Sequence, residues 1–194
     1  MRIKVREKYI CVEETLIIIT FLCIFSNKAR NFLSNYFICY LFIMFHETAH
    51  ILIATIFGYE VKRINIRLAG LNAGFKEKIE GIKGIIIYLV GPISNIVLAL
   101  IFKNVRIVFE INISLALINL VPIFPLDGYN IWKLILRVLT DDKTAKGYMN
   151  YIQKAIEIMM LILSIFMCIK NNNFSLFLLL VYIKVNSPQP LKSL

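Results

Sequence analysis

Residues 42–54 read FIMFHETAHILIA, an apolar run broken only by the cluster His46, Glu47 and His50. From Phe37 to Phe57 there is no other ionisable carboxylate or basic side chain, and Ile85 to Phe102 carries no charge at all. Each run is long enough to cross a hydrocarbon core of ~30 Å as a helix. The whole chain of 194 residues is 59% hydrophobic, with a mean hydropathy of +0.74. Soluble domains sit near ~45–50% apolar. These runs therefore predict an all-α polytopic membrane protein.

Working outward from the first run, hydropathy predicts about six transmembrane helices, near residues 9–25, 36–57, 84–102, 107–139, 151–169 and 173–185. The first has a basic start, MRIKVREK, and no small-x-small cleavage site, so it reads as an uncleaved anchor. The fourth contains Pro122 and Pro125, which lack amide donors and should break the helix. Broken backbone at membrane depth is tolerated only where protein or a wet cavity surrounds it, so this segment should face the interior. No repeat or soluble domain is expected, and residues 1–194 read as one domain.

Between the second and third spans, Ile64, Ile66 and Leu68 alternate with Asn65 and Arg67, a strand period, and Gly70 and Gly74 mark turns. The stretch reads either as an amphipathic surface loop or as a short membrane-associated β-hairpin. In the second case its strand is an edge that can accept an extended peptide.

The net charge of +10 is spread among the spans instead of gathered on one surface, which excludes nucleic acid as a partner. Lys and Arg concentrate at the N-terminus, in residues 62–83 and in residues 137–146. The positive-inside rule then puts both termini in the cytosol. His50 lies about 10 Å from the cytosolic end of its span, at 1.5 Å per residue, so the chemistry should sit toward the cytosol. Cys11, Cys23, Cys39 and Cys168 form no CxxC pair, and the three in apolar surroundings read as structural thiols.

His46 and His50, the only histidines, are four residues apart and share one helix face. They can offer two imidazole nitrogens to one metal ion, with Glu47 beside them to accept a proton from water. This HExxH pattern is that of zinc peptidases. An ionisable group at mid-membrane costs roughly 2.5–3.5 kcal/mol on insertion scales, so a purely structural role is disfavoured. Catalytic zinc takes three protein ligands, and with no third His the last should be a carboxylate. Glu110, Asp127 and Glu157 are the candidates in or beside later spans. Asp127 lies in the broken segment and is preferred; its alternative role is a turn or helix cap before Gly128. Thr48, Ser94, Asn95 and Asn119 are the polar residues available to line a water path.

HETAH in the second span, GPISN (Gly91, Pro92, Asn95) in the third and NLVPIFPLDG (Asn119 to Gly128) in the fourth together resemble the site-2 proteases, intramembrane zinc metalloproteases. Order and spacing are most similar to the stage IV sporulation peptidase branch, which processes a sigma-factor precursor. The resemblance implies that His46, His50 and Asp127 bind Zn2+ and that Glu47 is the catalytic base. It also implies that Gly91, Pro92, Asn95 and Asn119 belong to the substrate-binding region, and that the 61–75 strand takes part in docking. Implied partners are the bilayer, a membrane-associated protein substrate and an inhibitory membrane protein. One departure is expected: this branch commonly carries a C-terminal cystathionine-β-synthase-type domain, and none is read here. Two other functions fit the motif, a non-catalytic zinc carrier or scaffold and a CAAX-type zinc peptidase with Glu as third ligand.

Overall fold

The computed structural model describes residues 2–5, 8–12, 27–67, 70–172, 174, 176–178, 180 and 181. It is mostly helical and divides into two units, Met1–Ile118 and Asn119–Leu194. Among the described residues, three helices are long and apolar enough to cross a membrane, over Tyr36–Ile56, Gly81–Ile101 and Asp142–Lys170.

In the first unit, strands β1 (Arg2–Val5) and β2 (Lys8–Val12) precede helix α1 (Asn27–Ile56). Strands β3 (Val61–Arg67) and β4 (Gly70–Phe75) follow, then helices α2 (Gly81–Ile101) and α3 (Arg106–Asn119). The strands form one sheet in the order β1-β2-β3-β4. β1 and β2 are antiparallel, β2 and β3 parallel, and β3 and β4 antiparallel. A parallel pair cannot be joined by a tight turn, and here α1 lies in the connection.

Two sequence expectations change. Residues 9–12, read as the start of the first span, belong to β2, and the rest of that stretch up to residue 25 lies outside the described residues. β3 is paired on both sides, so the strand expected at an edge is internal; among the described residues, β4 beside it is an edge strand of the sheet. Of the sixth span, residues 176–178, 180 and 181 are helical and most of the remainder lies outside the described residues.

α1 is amphipathic in the sense a membrane requires. Phe42, His46, His50 and Ala54, spaced by one turn, are buried, while Phe37, Leu41, Phe45, Leu52 and Ile56 are exposed. Both imidazoles are thus on the buried face, as suits polar groups where lipid offers no hydrogen bonds. α2 packs its small residues inward: Gly84, Gly91, Pro92, Asn95 and Ala99 are buried. Small side chains let helix backbones approach closely where no hydrophobic force drives association.

In the second unit, residues 120–126 form turns and bends, with Phe124–Pro125 in cis. They lead into α4 (Asp127–Leu139) and then α5 (Asp142–Asn171). α3 and α4 have 14 and 13 residues, about 20 Å each at 1.5 Å per residue, too short for either to cross alone. The break expected at the prolines is therefore present between them. Gly128 is required there, since a Cβ would land on the carbonyls of Leu120 and Val121. Asp141 caps α5, accepting from the amides of Lys143 (3.1 Å) and Thr144 (3.0 Å) and from the Thr144 hydroxyl (2.5 Å).

Candidate metal centre

His46 and His50 project from the inner face of α1 and are 3% and 8% exposed. Their rings meet edge to face, with centroids 4.7 Å apart. They fit because Gly91 on α2 has no side chain: a Cβ there would collide with Nε2 and Cε1 of His50 and with Cε1 of His46. Pro92, next along, has no N–H to return to the carbonyl four residues back.

Each ring is oriented through Nδ1. His50 Nδ1 lies 2.6 Å from the Ile87 carbonyl, which can only accept, so Nδ1 carries the hydrogen and donates. His46 Nδ1 lies 2.5 Å from Asn95 Oδ1 and donates to it. A neutral imidazole has one N–H, so in both rings Nε2 is left as a lone pair. The two Nε2 atoms face each other at 3.1 Å. Two acceptors that close repel unless a cation lies between them. Zinc–imidazole bonds of about 2.0–2.1 Å meeting at a tetrahedral angle span roughly 3.3 Å. The pair therefore fits one zinc ion.

Asn95 is fully buried, and both ends of its amide are in use: Oδ1 accepts from His46, and Nδ2 donates to Asn112 Oδ1 at 2.9 Å. Asn112, also fully buried, donates from Nδ2 to the Val108 carbonyl at 2.9 Å. Asn95, expected at a substrate or water path, thus also bonds a histidine ring. Two other groups expected on that path bond within their own helices: Thr48 Oγ1 donates to the Met44 carbonyl and Ser94 Oγ to the Gly91 carbonyl. Glu47 sits beside His46 on α1 and is half-buried. In the second unit, Asp127 opens α4 and Asn119, the last residue of α3, precedes the break; both are half-buried. An acidic residue in the first turn of a helix is favoured by the helix dipole.

Sequence reasoning did not find Asn112. The signal was an amide inside the apolar stretch EINISLALIN, on the same α3 face as the buried Ala116.

Comparison with known proteins agrees with this architecture. A solved structure, the Site-2 Protease from Methanocaldococcus jannaschii, superposes with a TM-score of 0.65 at 19% identity, over 100% of this chain and 98% of that one. The fold is that of a site-2 protease. The model of Peptidase family M50 matches residues 102–164, which run from the end of α2 through the break and α4 into α5. No curated protein sequence matches the chain. Family match and structural neighbour together support a metalloprotease of the site-2 type. With the three apolar helices, they indicate an integral membrane protein.

Proposed function

We propose that the protein is an intramembrane zinc metalloprotease that hydrolyses a peptide bond in or near the membrane segment of a membrane-associated substrate. The observation that carries this is the pair of buried Nε2 atoms, 3.1 Å apart, on rings whose Nδ1 atoms are each held by an acceptor, Asn95 Oδ1 and the Ile87 carbonyl. By the motif resemblance, His46, His50 and Asp127 would hold the ion, two imidazoles and one carboxylate being a donor set suited to catalytic zinc. A zinc ion held by these residues would supply Lewis acidity toward the scissile carbonyl and lower the pKa of water. Glu47 accepts the proton from the attacking water and later delivers it to the leaving amine. Asn119 donates to the oxyanion that develops on the carbonyl.

An extended substrate segment adds to the edge strand β4, so that main-chain hydrogen bonds hold it and local unwinding exposes its peptide bond. The substrate is a membrane-tethered protein. A sporulation sigma-factor precursor is the candidate that the motif resemblance supplies, and an inhibitory membrane protein is the matching regulator.

The protein spans the bilayer about six times with both termini in the cytosol. Sheet pairing supports this. β2 and β3 share one sheet, so Val12 and Val61 lie on one side of the bilayer and an even number of crossings separates them. Lys62, Arg63, Lys76 and Lys78 around the sheet favour its cytosolic side.

The test is co-expression with a panel of membrane-tethered transcription-factor precursors, scored by fragment size. One precursor should be cut by the wild-type protein and left whole by His46→Ala. Cleavage that persists in His46→Ala refutes the proposal.

A further inference from the structure

We propose that Asn112 is a positioning residue that, through Asn95, fixes which nitrogen of His46 carries the hydrogen and which is the one to ligate metal. The inference rests on the zinc reading of the site. It starts from an asymmetry between the two histidines. His50 takes its direction from the Ile87 main-chain carbonyl, which cannot become a donor. His46 takes its direction from a side-chain amide, Asn95. The oxygen and nitrogen ends of an amide have nearly the same shape, so packing alone cannot choose between them; only hydrogen-bond partners can.

The partner that chooses is Asn112. The Val108 carbonyl only accepts, so the nitrogen end of Asn112 faces it. The oxygen end of Asn112 then faces Asn95 and demands its nitrogen. Asn95 is left with its oxygen toward His46, and His46 must donate from Nδ1. Each link forces the next, and Asn95 and Asn112 are fully buried, where water cannot substitute as a partner. A rotated Asn95 would point its N–H at His46 Nδ1, and the ring hydrogen would move to Nε2. An Nε2 that carries hydrogen cannot ligate zinc. α3 thus sets the proton position of a ligand carried on α1. Loss of such outer hydrogen bonds typically costs about 10- to 100-fold in metal affinity.

The experiment measures zinc affinity by chelator competition on purified full-length protein in detergent, together with the melting temperature of the zinc-free form. Asn112→Leu removes the relay, and Asn112→Ser, small enough to fold, is too short to reach Asn95. Asn112→Asp keeps an oxygen for Asn95 to donate to. The proposal expects a loss of about 10-fold or more for Asn112→Leu and Asn112→Ser, with most of the affinity retained by Asn112→Asp. In an Asn95→Leu background, Asn112→Ser should cost nothing further, because the relay is already cut. Unchanged affinity in Asn112→Leu and Asn112→Ser overturns the proposal. So does a loss that simply adds to that of Asn95→Leu, since a packing defect does not act through Asn95. If the wild-type protein binds zinc no better than His46→Ala, the zinc reading itself falls, and this inference with it. If wild-type binding depends on His46 but not on Asn112, only this inference falls.

Discussion

Replacing Gly91 by alanine tests the geometry of the histidine pair with one methyl group. An ideal Cβ at Gly91 lies under 3.0 Å from ring atoms of both His46 and His50. Comfortable carbon contacts are about 3.5–4.0 Å, so ring or backbone must yield by roughly 0.5 Å or more. Metal–ligand distances tolerate only about 0.2 Å. If the rings move, zinc affinity falls. If α1 and α2 separate instead, the zinc-free protein melts earlier. Overpacking of this kind costs about 1–3 kcal/mol, equivalent to roughly 5- to 150-fold in zinc affinity where the rings absorb it. The intrinsic propensity works the other way, because alanine in a helix is favoured over glycine by about 1 kcal/mol. The sign of the effect is therefore diagnostic. Chelator competition and thermal melting in detergent should show a loss in at least one quantity. Gly91→Ala with wild-type zinc affinity and equal or higher melting temperature would refute the packing described at this position.

Further outcomes follow from the same geometry. Asp127→Ala should lose zinc while Glu110→Gln and Glu157→Gln keep it, as metal analysis of the purified variants would show; the reverse pattern for Glu157 would favour a CAAX-type site. Thr48→Val and Ser94→Ala should keep wild-type zinc affinity and cleavage, because both hydroxyls bond to their own helix; a tenfold loss in either would return them to the water path. The hydroxyl and amide of Thr144, with the Lys143 amide, hold the Asp141 carboxyl below its ordinary range. A depressed carboxylate stabilises the fold above its unfolded-state pKa, and the contribution disappears as pH falls through the folded-state value. Asp141→Ala should therefore lower the melting temperature at neutral pH, with a gap that closes on acidification. A gap independent of pH would show that the carboxylate charge is not what caps α5.

What the sequence made legible was whatever local chemistry determines. Long apolar runs predicted the helices over 36–57 and 84–102, which the structure has as α1, begun nine residues earlier at Asn27, and α2, begun three residues earlier at Gly81. Pro122 and Pro125 predicted the break before Asp127 because a missing N–H has no local remedy. Alternation over 64–68 signalled a strand, but not which neighbour it takes. The partner β2 comes from residues 8–12, and such pairing depends on the tertiary path of the chain. The same holds in the site. HETAH announces two imidazoles by its spacing alone. What aims them comes from elsewhere in the chain: the Ile87 carbonyl, the bare backbone at Gly91 and the Asn95–Asn112 pair. An asparagine in an apolar helix signals a buried polar contact, and the sequence does not say with what.

The central claim is tested most directly by Glu47→Gln. The wild-type and variant proteins would be reconstituted in vesicles with a quenched fluorescent transmembrane peptide, and zinc content would be measured on the same samples. The account predicts about one zinc per chain in both, cleavage by the wild-type protein, and none by Glu47→Gln, since the ligands remain while the group that takes the proton from water is gone. Cleavage by Glu47→Gln at the wild-type rate would contradict it.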